Sequence, residues 1–154
     1  MEAPGSGSTS QTPSSLEVPA DPSRRAWRAT GLTPSLHTVA QARRDVRGLL
    51  ISWGVEAGSW ETELLFAEVA GNAVRHARTR FDILLAVDRA TLRCEVTDAD
   101  PRIPQLDDRP LDAEGGRGLR LVDELSDHWG VSVHNEGKTV WFQLTVSAAE
   151  RGPA

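Results

Sequence analysis

The chain has 154 residues, 39% hydrophobic and 25% charged, which suits one globular domain with room for a tail. It holds no apolar run of about 18 residues or more and no apolar core behind its polar N-terminus, so neither a membrane-crossing helix nor a secretory leader is expected, and a cytoplasmic location is the default. The net charge of -5 argues against non-specific nucleic-acid binding, and the single cysteine, Cys94, excludes an intrachain disulfide and a thiolate zinc cluster.

Residues 1–24 read as a disordered tail. Pro4, Pro13, Pro19 and Pro22 fall there among Ser, Thr and Gly, and such a segment cannot bury enough apolar surface to offset its ordering entropy. A domain over 25–148 and a short tail over 149–154 complete the expected organisation. Trp27 to Leu32 suggests a short first strand. Ser35 is placed to cap a helix carrying Val39, Ala42, Val46, Leu49 and Leu50 at helical spacing, and Gly54 would end it near Trp53. Glu61 to Ala77, free of proline, predicts a second helix. Phe81, Ile83, Leu85 and Val87 alternate, as do Leu92, Cys94 and Val96 beyond a turn at Asp88-Arg89-Ala90, which predicts a hairpin. From Asp98 to Gly118 the pattern breaks into an acidic loop with Pro101, Pro104 and Pro110; loops of this length are functional or disordered. Gly118 to Ser126 predicts a third helix with Leu119, Val122 and Leu125 inward, and Trp129 to Val133 with Thr139 to Val146 predicts a closing hairpin. The order is α+β, with one face of a sheet packed under helices.

Four segments could carry chemistry. On the second helix Glu68, Asn72 and His76 recur every fourth residue and form a polar stripe beside Leu64, Leu65, Val69, Ala73 and Val74. Such groups next to a core are costly without partners, and a ligand with phosphates and a metal ion would be one; a wet edge-of-core stripe explains the same residues. Asp98 ends its strand on the side of Leu92, Cys94 and Val96, at the rim of the interior if that side is the core. There its carboxylate could accept a hydrogen bond from an exocyclic amine, or merely begin a turn. Gly115-Gly116-Arg117-Gly118 precedes a helix, where glycines allow close backbone approach and free amides bind anions; a flexible loop is the plain alternative. Neither a P-loop nor a GxGxxG fingerprint occurs. Gly137-Lys138-Thr139 opens the last strand. The Thr139 hydroxyl and Lys138, the only lysine among 17 basic residues, could reach a ligand; a hairpin turn followed by an ordinary strand explains the same residues. Thr139 shares a face with Trp141 and Gln143, opposite Val140 and Phe142, and which face is inward stays open.

Taken in order, these segments resemble the GHKL ATP-binding family, and more narrowly the anti-sigma-factor serine kinases and their small actinobacterial relatives. Glu68-Val-Ala-Gly-Asn72-Ala-Val-Arg-His76-Ala matches the N box. Val96-Thr-Asp98 matches the start of the next box, Gly115-Gly-Arg-Gly118-Leu-Arg-Leu-Val122 the second glycine box, and Trp129-Gly130 with Gly137-Lys-Thr-Val-Trp141 the closing hairpin. The similarity covers roughly residues 27 to 146. It implies a two-layer α/β sandwich with a mixed, mostly antiparallel sheet. It further implies ATP and Mg2+ as cofactors. Asn72 would hold the metal. Asp98, Gly116, Gly118, Leu119 and Thr139 would contact ATP, with the 99–115 loop as a lid. Glu68 would be the catalytic base that accepts a proton from a protein serine or from water. Where many members read D-x-G-x-G, this chain reads Asp98-Ala-Asp-Pro-Arg, with both glycines replaced.

The resemblance implies an anti-sigma regulatory protein kinase that phosphorylates a serine on an STAS-type anti-anti-sigma partner and controls a sigma factor. Family members often pair as homodimers; neither nucleic acid nor membrane is an implied partner. The alternative is a catalytically weak module of the same fold that regulates by contact alone. A sensor-kinase catalytic domain ranks last, since residues 1–40 leave no room for a helical phosphoacceptor module.

Overall fold

A computed structural model describes residues 24–103 and 118–147. The two expected tails apart from Arg24, most of the acidic loop, and Gly115, Gly116 and Arg117 lie outside those residues. The elements run β1 (Arg24–Leu32), α1 (Leu36–Ser52), α2 (Ser59–Asn72) with a π-helical turn (Ala73–Ala77), β2 (Phe81–Asp88), β3 (Thr91–Asp98), α3 (Gly118–Leu125), β4 (His128–His134) and β5 (Gly137–Thr145). The strands form one sheet in the order β1-β2-β3-β5-β4. All four pairings are antiparallel, so the sheet holds no parallel pair among the described residues, unlike the mixed sheet expected. Three helices cover one face, giving the two-layer α+β architecture.

Local chemistry sets most boundaries. Ser35, extended at φ -133, accepts a hydrogen bond from the Thr38 amide at 3.1 Å and starts α1. Gly54 at φ 71 turns the chain away after Trp53. Val39, Ala42, Val46 and Leu50 of α1 are buried, as are Leu65, Phe66, Val69 and Ala70 of α2. They meet Ile83, Leu85, Val87, Leu92, Cys94, Val96, Val140, Phe142 and Leu144 from the sheet. Glu63, nearly buried, ties α2 to α1 by accepting from Arg43 Nε at 2.9 Å and from the Arg47 guanidinium on both carboxylate oxygens. The Arg47 hydrogen bond is the main reason its carboxyl lies below the usual glutamate range; burial opposes it and Arg43 assists.

Several boundaries differ from the sequence-based expectation. β1 begins at Arg24 rather than Trp27, paired to Asp88 and following β2 as an edge strand. Leu125, expected inward on α3, is 36% exposed, while Leu119 and Val122 are buried. α2 begins at Ser59, and its last turn is wound as a π-helix, with the Arg78 amide donating to the Ala73 carbonyl at 3.1 Å. Among the described residues no helix is long and apolar enough to cross a membrane.

Candidate nucleotide site

Glu68 and Asn72 lie one turn apart on the last two regular turns of α2, and both are half-buried. Neither side chain hydrogen-bonds to a described residue. The π winding after Asn72 takes more residues per turn, so His76 falls off the stripe that regular spacing predicts. Its side chain is exposed, and its carbonyl accepts from Arg102 at 3.4 Å. The N box therefore contributes two convergent groups, a carboxylate and an amide, rather than three.

Asp98 closes the core face of β3. The register of β3 against β5 pairs Val96 with Val140, Thr97 with Thr139 and Asp98 with Lys138. Residues opposite each other in a ladder share a face, so Lys138 joins Asp98 on the helix-covered side. Thr139 points to the other side of the sheet, bonded to the Thr97 hydroxyl at 2.8 Å and near His134 Nε2 at 3.2 Å. The inward face left open by sequence is thus that of Lys138, Val140 and Phe142, and the expected ATP contact Thr139 is not brought to Asp98. Lys138 takes its place. The signal was legible in part: a lone lysine in an arginine-rich chain, one residue away in parity.

The Asp98–Lys138 pair is enclosed, with side-chain exposures of 2% and 7%. Lys138 Nζ donates to Asp98 Oδ1 at 3.0 Å and to the Asp100 carbonyl at 2.8 Å, and the Asp100 amide donates to the same Oδ1 at 2.8 Å. Asp98 Oδ2 accepts nothing from any described residue. Among the described residues no buried side-chain oxygen or nitrogen lacks a partner, so Oδ2 keeps contact with solvent on the side away from Lys138, where a ligand donor could reach it. Gly137, at φ 151, lets the turn lie against this strand end: a Cβ there would stand 1.9 Å from the Asp98 carbonyl oxygen.

The segment after Asp98 is held by side chains. The Asp100 carboxylate accepts from the Arg102 amide at 3.0 Å and from its guanidinium at 2.6–3.0 Å. These bonds hold its carboxyl down at about 2. Arg102 reaches the His76 carbonyl, and Thr79 Oγ1 accepts from the Ala99 amide at 3.0 Å, so this segment is tied to the end of the N-box helix. Leu119 is buried among core residues and supports α3, which packs on α2.

The residues present suit a magnesium nucleotide. An unfilled carboxylate oxygen could meet a base amine. A carboxylate and an amide oxygen without described partners converge from one helix. Gly118 opens α3, where free amides favour an anion. Among the described residues no cluster of three or more His, Cys, Asp or Glu could hold a metal alone.

The sequence profile described as the histidine kinase-like ATPase domain matches residues 32–144. A comparison with curated protein sequences gives no significant match. Among solved structures, the chain is similar to the RsbU and RsbW domains of Rv1364c from Mycobacterium tuberculosis, with TM-score 0.62 and 16% identity over 84% of this chain and 35% of that one. It thus spans about a third of the length of that two-domain chain. It also aligns with the histidine kinase domain of the Erythrobacter litoralis EL346 blue-light activated kinase, at TM-score 0.45 and 20% identity over 76% of this chain and 64% of that one. The histidine kinase domain of the E. coli osmosensor EnvZ aligns at TM-score 0.41 and 14% identity, over 82% and 92%.

Proposed function

Because the chain belongs to the histidine kinase-like ATPase domain family, we propose that it binds MgATP and acts as a regulatory protein serine kinase of the anti-sigma type. Its partners would be an STAS-type anti-anti-sigma protein, the phosphoacceptor, and a sigma factor held by contact. In this reading the protein works in the cytoplasm, with 25–148 as the working domain and a homodimer as its assembly. The observation that carries it is the pair Glu68 and Asn72, free of described partners on the helix to which the Asp98 segment is tied.

When bound, MgATP supplies the transferable phosphoryl group, and the metal offsets its charge. Asn72 would hold the metal through its side-chain oxygen. Asp98 would accept a hydrogen bond from the base amine at Oδ2, and the backbone of Gly116 and Gly118 would receive phosphate. Glu68 would accept the proton of the attacking serine hydroxyl, a role that contributes about 10²–10⁴-fold in general-base catalysis. Leu119 enters only by supporting α3.

The test is MgATP titration by calorimetry, wild type beside Asn72→Ala. Magnesium-dependent binding that disappears in the variant is expected; absence of binding at millimolar ATP would refute the nucleotide reading. One observation favours a second reading, in which the fold regulates by contact alone. The first lid residues carry Asp100 and Arg102 in place of the two glycines, with Pro101 between them, and the two replacements clamp each other. A Glu68→Ala protein that still represses its target transcription would establish that second reading; loss of both phosphorylation and release of the sigma factor supports the first.

A further inference from the structure

Why the only lysine of an arginine-rich chain sits against Asp98 is a question of donor geometry. Oδ1 of Asp98 is filled by two donors, the Asp100 amide at 2.8 Å and Lys138 Nζ at 3.0 Å, while Oδ2 has none among the described residues. Each carboxylate oxygen offers two lone-pair sites, so Oδ1 is saturated. An ammonium is a point donor on a flexible stem. A guanidinium is a planar fork that engages both oxygens of a carboxylate at once. With arginine here, Oδ2 would be closed. Lysine instead fixes the carboxylate from one side, and the Asp100 carbonyl, accepting from the same Nζ at 2.8 Å, fixes the lysine.

We propose that Lys138 is a positioning residue for nucleobase recognition: it anchors Asp98 through Oδ1 and reserves Oδ2 for the exocyclic amine of a 6-aminopurine. This rests on the ATP-binding reading above and adds to it a selection rule. The pair is electrically balanced before ligand arrives, so a neutral amine adds a hydrogen bond without changing the buried charge. Selection then depends on which oxygen is left open rather than on charge.

The experiment compares ATP with purine riboside 5′-triphosphate, which lacks the 6-amine, in calorimetric titrations of wild type, Lys138→Arg and Lys138→Met. A hydrogen bond to a charged group predicts that wild type prefers ATP by about tenfold or more. Lys138→Arg keeps the charge and the ion pair, and its fork is expected to reduce the preference to within about twofold while purine riboside triphosphate binds as in wild type. Lys138→Met, which leaves the carboxylate held by the Asp100 amide alone, is expected to lose preference in the same direction, with its thermal melt reporting folding. Three results overturn the proposal. Lys138→Arg could retain the wild-type preference. Both nucleotides could weaken equally in the variants, which would make the lysine a purely structural residue. ATP could bind more tightly to Lys138→Met, which would make the lysine a competitor of the base. Wild type that binds neither nucleotide would instead remove the ATP reading itself, and this inference with it.

Discussion

Gly137→Ala tests whether the strand-end geometry around Asp98 is as tight as the structure makes it. The added Cβ would stand 1.9 Å from the Asp98 carbonyl oxygen and 2.8 Å from Ala99 Cα, both backbone atoms that cannot rotate aside. Ordinary contacts of this kind begin above about 3 Å, so the two strand ends must separate by more than about 1 Å. Gly137 also sits at φ 151, a conformation that side chains rarely adopt. Overpacking and backbone strain each cost about 1–3 kcal/mol, so a total loss of roughly 2–5 kcal/mol is expected. That would lower the melting temperature by roughly 10 °C. Because the clash falls on Asp98 itself, nucleotide affinity should drop with stability. Two controls separate the effects. Gly31→Ala, at φ 65 with nothing within 4 Å, should cost only the backbone term of about 1 kcal/mol. Gly130→Ala meets the Trp141 ring at 2.8 Å on the outer face and should destabilise without changing affinity. Differential scanning calorimetry and ATP titration on the three variants give the answer. A Gly137→Ala protein with wild-type melting and wild-type affinity would refute the reasoning.

Glu63→Gln should cost about 1–3 kcal/mol, since it removes charge-assisted bonds to Arg43 and Arg47 that join α1 to α2, partly screened because both arginines reach solvent. The sign with pH follows from the lowered carboxyl: the wild-type contribution is present above the ordinary glutamate range and is lost as pH falls through the lower folded value. Urea melts of the two proteins should therefore converge on acidification, and a difference that grew towards low pH would contradict the assignment. Cys94 is fully buried, and burial, aided by Glu95, pushes its thiol far up. Alkylation of native protein should be negligible and should rise in step with the unfolded fraction in urea; rapid labelling without denaturant would show that the core opens there.

Where hydrophobic period alone decides, the sequence was enough. Val39, Ala42, Val46 and Leu50 repeat at helical spacing, and the strands of the β2–β3 hairpin alternate, because burial of one stripe or one face imposes those periods. Ser35 was legible because a cap is a local hydrogen bond. Glu68 and Asn72 were legible as neighbours on one helix face, whereas the place of His76 was not, because its displacement comes from a π turn that no residue in Ala73–Ala77 announces. β5 shows a different limit. Val140 and Phe142 on one side and Thr139 with Trp141 on the other are both plausible inner faces by composition, since Trp141 is as large as anything in the core. Only the pairing of Asp98 with Lys138 decides it, and pairing is a non-local property. The outer face keeps its aromatic ring because Arg93 lies 4.2 Å from the centroid of Trp141 and because Gly130 leaves room for the ring on the neighbouring strand.

The replaced glycines after Asp98 acquire a physical meaning from the bonds around them. A glycine-rich turn obtains its shape from conformational freedom, and its flexibility is the consequence. Here Ala99-Asp100-Pro101-Arg102 obtains its shape from donors and acceptors: Thr79 holds Ala99, Asp98 and Lys138 hold Asp100, and Asp100 holds Arg102 against the end of the N-box helix. The negative charge of Asp100 is paired with Arg102 two residues on. The same ties join the proposed base-reading carboxylate to the helix that bears Glu68 and Asn72. In this chain a short clamp of side chains holds the turn at the positions where the D-x-G-x-G pattern would place glycines.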